Sequence, residues 1–214
     1  MAFTKPNPGP GGRRTGPTET VMEALANQRR RTVLDVLARL SPTPRGELAT
    51  HVAAAEADEQ LSAVASETVR RVELALHHRH LPKLEDAGLV ECPNDLVAAT
   101  ASAPFEVWEF VSDIDAERLD WDGLFRALTD SRCRAVVSAL DDAAATTDRQ
   151  TLAAAAADHP VWTAEGDDAE PHLHHVTLPK LDDGGLLSYD PDTGRVDHGH
   201  GDDAVYGLLD ALAY

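Results

Sequence analysis

The stretch HHRHLPKLEDAGLV at residues 77–90 returns as HHVTLPKLDDGGLL at residues 174–187, and this recurrence constrains the fold more than any other feature of the chain. A chain that repeats a unit has to fold that unit twice. The register also holds outside the block. LANQRRRTVLDVL (25–37) aligns with LTDSRCRAVVSAL (128–140), and TPRGELA (43–49) aligns with TDRQTLA (147–153). The offset between copies passes from 103 through 104 to 97, so the second copy is a few residues shorter in its middle loop.

The 214 residues leave room for two domains of roughly 80 to 100 residues each, within the common size range. Residues 1–18 hold four Pro and four Gly with almost nothing apolar and are expected to be a disordered tail. A first domain is expected over 19–100 and a second over 119–214. Between them, residues 101–118 form a connector whose run FEVWEFV is too apolar for a free linker and is expected to pack. No run of 18 apolar residues could span a bilayer, and the N-terminus lacks the apolar core of a signal peptide, so a cytoplasmic protein is expected. The two cysteines, Cys92 and Cys133, occupy non-corresponding positions and suggest neither a disulfide framework nor a Cys-rich zinc site.

Helical periodicity starts at Val21 and Leu25 and resumes at Val33, Leu34, Leu37 and Leu40, with Asn27 placed as an N-cap between the two runs. Asp130 stands at the equivalent place of the second copy. Ser41-Pro42-Thr43-Pro44 stops this helix, and a second is predicted from Arg45 to about Ala55. A third, long helix opens at Ser66 and stops at Gly88, a residue suited to a C-terminal stop. Pro82 and Pro179 remove the bonds to the carbonyls of His78 and His175, which predicts a bend or restart at the histidines. A hairpin comes next, with its turn at Pro93-Asn94-Asp95 in the first copy and at residues 190–194 in the second. Residues 205–214 carry Val205, Leu208, Leu209 and Leu212 at helical spacing, a predicted closing helix.

Three helices and a hairpin give a mainly α fold with short β hairpins (α+β), in the element order of a winged helix-turn-helix. The run HLPKLEDAGLV resembles the end of the recognition helix and the start of the wing in prokaryotic winged-helix regulators. More narrowly, LHHRHLPKL at 76–84 resembles haloarchaeal winged-helix domains with an LHHxHLPKL signature, a group of unassigned function. The second copy keeps LHH at 173–175 and departs at Thr177, where the signature has its last histidine. The resemblance implies two tandem winged helix-turn-helix domains.

The balance of 19 basic to 37 acidic residues runs against the basic face that nucleic-acid binding usually needs. Lysine is confined to Lys5, Lys83 and Lys180, aspartate is abundant and aromatics are scarce, a composition that resembles proteins of salt-accumulating halophilic archaea. In molar KCl acidic surfaces stay hydrated and their repulsion is screened, so the charge speaks to habitat more than to partner. An acidic interaction protein from a low-salt cell is the alternative.

In a winged helix the third helix enters the major groove. The candidate DNA-binding residues are therefore Arg70, Arg71, His78, Arg79 and Lys83, which supply donors for phosphates and guanine edges. The competing reading pairs Arg70, Arg71 and Arg79 with Glu67, Glu73 and nearby acids along a solvated helix. Residues 21–100 hold nine basic and twelve acidic residues, a net of −3, whereas 119–214 hold six and nineteen, a net of −13. If either half touches DNA, it is the first.

The arginines at 29–31, repeated at 132 and 134, suggest a shared role within the unit, helix packing or phosphate contact by the first helix, of which the structural one is favoured. The histidines His77, His78 and His80, with His172, His174 and His175, raise a metal or ligand sensor. However, neighbours on a helix diverge by about 100°, so one copy cannot easily aim an adjacent pair at one ion. His77 and His174 are instead expected at the edge of the core, on a stripe with Leu74, Leu81 and Leu84, bonded through one ring nitrogen. No metal site or cofactor is assigned. No phosphate-cradling loop or nucleophile elbow is present, and an enzyme is not expected. The expected function is a DNA-binding transcriptional regulator in which domain 1 contacts DNA and domain 2 serves dimerisation, as a homodimer, or contact with a protein partner. The alternatives are a protein-protein interaction module on the same fold and the His-cluster sensor.

Overall fold

A computed structural model describes residues 17–101, 119–141, 146–157, 159–163 and 168–199. The closing helix expected at 205–214 and nearly all of the expected tail and connector lie outside these. Pro17 and Thr18, placed in the tail by composition, belong to the first helix.

The first copy comprises α1 (Pro17–Leu25), α2 (Gln28–Leu40), β1 (Thr43–Pro44), α3 (Arg45–Ala57), α4 (Ser66–Ala75), a π-helical turn at Leu76–His80, α5 (Leu81–Asp86), β2 (Val90–Glu91) and β3 (Leu96–Ala99). The second copy comprises α6 (Trp121–Ala127), α7 (Ser131–Asp141), β4 (Thr146–Asp148), α8 (Arg149–Ala157), α9 (Pro160–Thr163), α10 (Ala169–His172), a π-helical turn at Leu173–Thr177, α11 (Leu178–Asp183), β5 (Leu187–Tyr189) and β6 (Arg195–His198). The molecule is mainly helical with two small antiparallel sheets. The predicted hairpins are present, and each gains a third strand that periodicity could not reveal, since β1 and β4 are two and three residues long. Their orders correspond, β1-β3-β2 and β4-β6-β5, with Thr43 opposite Val97 and Thr147 opposite Val196.

Polar side chains start the helices where expected. Asn27 caps α2 by accepting from the Arg30 N–H, and Asp130 Oδ1 accepts from the Arg132 N–H at the start of α7. Asn27→Ala and Asp130→Ala are each expected to cost about 1 kcal/mol, close to additively, in denaturant unfolding. The repeated arginines have the predicted structural role. Arg31 donates to the Leu25 carbonyl at the end of α1, and Arg134 donates to the equivalent Leu128 carbonyl. Each fills a vacancy that every helix C-terminus leaves. Arg30 is buried and donates to the carbonyls of Ala24 and Glu23.

The proline effect takes a definite form. With no N–H at Pro82 or Pro179, the ladder widens by one residue: Leu81 N–H bonds the Leu76 carbonyl and Leu178 N–H bonds that of Leu173. The extra residue rotates the remainder of the helix. Val72, Leu76, His80, Leu81 and Leu84 face the core, whereas Leu74 is 52% exposed and His77 is exposed. The expected Leu74–His77–Leu81–Leu84 stripe therefore does not form, because it assumed an unbroken 3.6-residue period. After α5, Gly88 adopts φ +71° and the Leu89 N–H returns to the Leu84 carbonyl, a closure repeated at Gly185 and Leu186.

The cores of the two copies are continuous. α1 packs on α5 and also on α6, its counterpart in the second copy, and α6 packs on α11. One cluster of buried side chains runs from Met22 and Leu25 through Leu124, Phe125 and Leu128.

Candidate nucleic-acid interface

The five predicted residues lie along one helical rod: Arg70 and Arg71 on α4, His78 and Arg79 in the π-helical turn, and Lys83 on α5. All five are exposed. The competing reading, in which acids one turn away neutralise the arginines, fails among the described residues. No ion pair joins Arg70, Arg71 or Arg79 to Glu67 or Glu73, and Arg71 reaches Thr68 Oγ1 at a long 3.4 Å. Lys83 differs. Its Nζ lies 2.6 Å from Glu23 Oε1 on α1, and this hydrogen bond holds the Glu23 carboxyl below its ordinary range. That pair is open to solvent, so it ties Lys83 down only weakly.

Sequence reasoning missed Arg45. At the first position of α3 it gathers three elements: its N–H bonds the Asp95 carbonyl, Nη2 donates to the Asn94 carbonyl in the hairpin turn, and Nη1 donates to His77 Nδ1 at 3.0 Å. Arginine can only donate, so Nδ1 accepts and His77 carries its proton on Nε2. Arg149 repeats the arrangement with His174 Nδ1 at 3.0 Å, and its N–H bonds the Gly194 carbonyl. The signal was present in the aligned blocks, which place arginine at 45 and 149 and histidine at 77 and 174. Each pair fixes the hairpin turn against the third helix. His77 is thus bonded through one ring nitrogen as expected, but on the surface.

The copies differ around this shared latch. Arg149 also pairs with Glu170 at 3.2 Å and reaches the Tyr189 hydroxyl, which lies 2.6 Å from His174 Nδ1. Burial and the adjacent Arg149 cation push the His174 pKa down. In the first copy Cys92 stands at the place of Tyr189, and the buried Arg45 Nε has no hydrogen-bond partner. Among the described residues the first copy therefore pairs its latch arginine with no carboxylate, whereas the second neutralises it with Glu170.

The third helix diverges further. α4 begins at Ser66, while α10 begins at Ala169, six positions later in the repeat register, with Asp168 as N-cap accepting from the Glu170 N–H. Asp167, Asp168 and Val176 fall at the places of Arg70, Arg71 and Arg79, and only the histidine and lysine persist, as His175 and Lys180. Lys180 lies 3.7 Å from Asp130.

Other chemistry is weakly supported by the geometry. Among the described residues no three His, Cys, Asp or Glu side chains converge as a metal would require. Burial pushes the Cys133 thiol up to about 12 and that of Cys92 up to about 11, which leaves both protonated and poorly nucleophilic at neutral pH. Among the described residues no helix is long and apolar enough to cross a membrane.

No curated protein and no solved structure matches the chain. One family model matches twice, over residues 22–96 and again over 125–197, segments that coincide with the two folded copies and together cover more than half of the sequence. The chain is therefore a tandem member of the family described as Domain of unknown function (DUF7344).

Proposed function

We propose that this protein is a DNA-binding regulator of winged-helix type, suited to a high-salt cytoplasm, in which the first copy contacts DNA and the second makes protein contacts. The helix-strand-helix-helix-hairpin order, with the first strand beside the last, supports the winged-helix reading. The observation that carries the function is the exposed run Arg70, Arg71 and Arg79, which no carboxylate neutralises among the described residues of a chain that is otherwise strongly acidic. Solvated arginines in such a chain normally find acids. Here they project from the helix that this motif lays in the major groove, with the hairpin fixed beside it by Arg45 and His77.

At molar salt little free energy remains in counterion release, so affinity would rest on direct and water-mediated hydrogen bonds and on fit. Fluorescence anisotropy with genomic-fragment duplexes at about 2 M KCl tests the reading. The variant with Arg70, Arg71, Arg79 and Lys83 all changed to Ala should bind about tenfold or more weakly, from the loss of charge-assisted bonds. Unchanged affinity would remove this surface from consideration. A second reading, a protein interaction module without DNA contact, is favoured by the acidic third helix of the second copy. Affinity purification that enriches one protein and no DNA would support it.

A further inference from the structure

The two copies do not hang as separate beads. α1 and α6 hold the same place in the repeat, and they pack on each other. Phe125 is fully buried on this seam and stacks on Trp121 at 5.6 Å. The Arg31 guanidinium lies 5.7 Å from the Phe125 ring centre and pairs with Asp122 at 2.6 Å, with the Arg31 side chain only 13% exposed. Contact between the same element of two equal units is the kind of contact that a two-fold dimer makes across its axis. In this chain the partner's place is filled by the chain's own second half.

A dimer of identical reading units binds two half-sites in inverted repeat, because the protein symmetry is mirrored in the DNA. Here the halves share the body and differ on the reading face. The second copy carries Asp167, Asp168 and Val176 in place of three arginines, starts its third helix six positions late, and neutralises its latch arginine with Glu170. Carboxylates at those places repel phosphates and offer no donor to guanine. An aspartate can accept from cytosine, but without flanking cations it lacks the phosphate grips that set register.

We infer that the protein is a fused pseudo-dimer with one reading face, and that its DNA target is a single non-palindromic half-site bound by one chain. The inference rests on the DNA-binding reading above and adds the symmetry and stoichiometry of the target. The second copy supplies the dimer seam, so this seam leaves no room for a second chain at the same helices.

The test is selection from randomised duplex DNA with the full chain at about 2 M KCl, followed by light scattering of the complex with the winning duplex. The expected result is one enriched element without two-fold symmetry, its base-specific part spanning less than about one helical turn. The complex should hold one 23.0 kDa chain per duplex. An enriched inverted repeat with both arms required, or two chains on one duplex, overturns the inference and leaves DNA binding standing. Failure to enrich any sequence over the starting pool overturns both.

Discussion

Phe125→Ala is expected to lower the stability of the whole chain by about 3 to 5 kcal/mol, the usual cost of emptying a fully buried phenylalanine site. The same change should separate the unfolding of the two copies. The buried residues of both halves form one cluster, and the seam between α1 and α6 joins them. Removing the ring deletes the stack on Trp121 and the surface under Arg31, and leaves the Arg31–Asp122 pair as a polar link across the seam. No tryptophan lies in the first copy, and Trp121 and Trp162 are buried in the second, so a change in their fluorescence reports on the second copy while far-UV circular dichroism reports on both. In the parent protein the two signals should share one transition, as expected of a single cooperative unit. In Phe125→Ala fluorescence should change at lower denaturant than the dichroism. Two separate transitions in the parent protein would show that the seam does not couple the copies.

The duplication, the order of helices, the caps at Asn27 and Asp130 and the stop at Gly88 were legible because each rests on local chemistry. A capping side chain or a left-handed glycine acts within a few residues, and the repeat states it twice. The illegible features depend on distance. β1 and β4 exist because Thr43 and Thr147 meet β3 and β6 from far along the chain, and strands this short carry no alternation. The rotation of the third helix after His80 arises from Pro82, whose disturbance was predicted but whose geometry was not. A π-helical turn keeps the helix running and shifts its face, which exchanges His77 for His80 at the core.

The candidate site was legible as a set of residue types and not as a set of partners. Arginine beside glutamate on a helix suggests pairing, and only the structure leaves Arg70 and Arg79 without it among the described residues. Lys83 was equally plausible in sequence, yet it has an exposed partner in Glu23, sixty residues earlier. Arg45 escaped notice because its work is done across the hairpin and the third helix at once, and neither contact is near in sequence. Comparing the copies would have exposed it, since position 45 keeps its residue type while the arginines of the third helix do not.

His80 gives the chain a second strong prediction, a loss of stability in mild acid. The side chain is 6% exposed, its Nδ1 has no hydrogen-bond partner, and the second copy replaces it with the fully buried Thr177. Burial, with the nearby cations Arg29, Arg30 and Arg79, lowers its pKa to about 4, against the opposing pull of Glu56. In the unfolded chain a histidine titrates near 6.5. Between these values the unfolded state takes up a proton that the folded state refuses, so folding is favoured above pH 6.5 and the advantage is lost as pH falls towards 4. From pH 7 to pH 5 the loss is about 2 kcal/mol at 1.36 kcal/mol per pKa unit. The chain's many carboxylates titrate in part of the same range, so the decisive quantity is a difference. Denaturant unfolding of the parent protein and of His80→Leu at both pH values should show the parent losing about 2 kcal/mol more than the variant on acidification. Equal losses would mean that His80 accepts its proton in the folded state, and with it that the core opens at the π-helical turn.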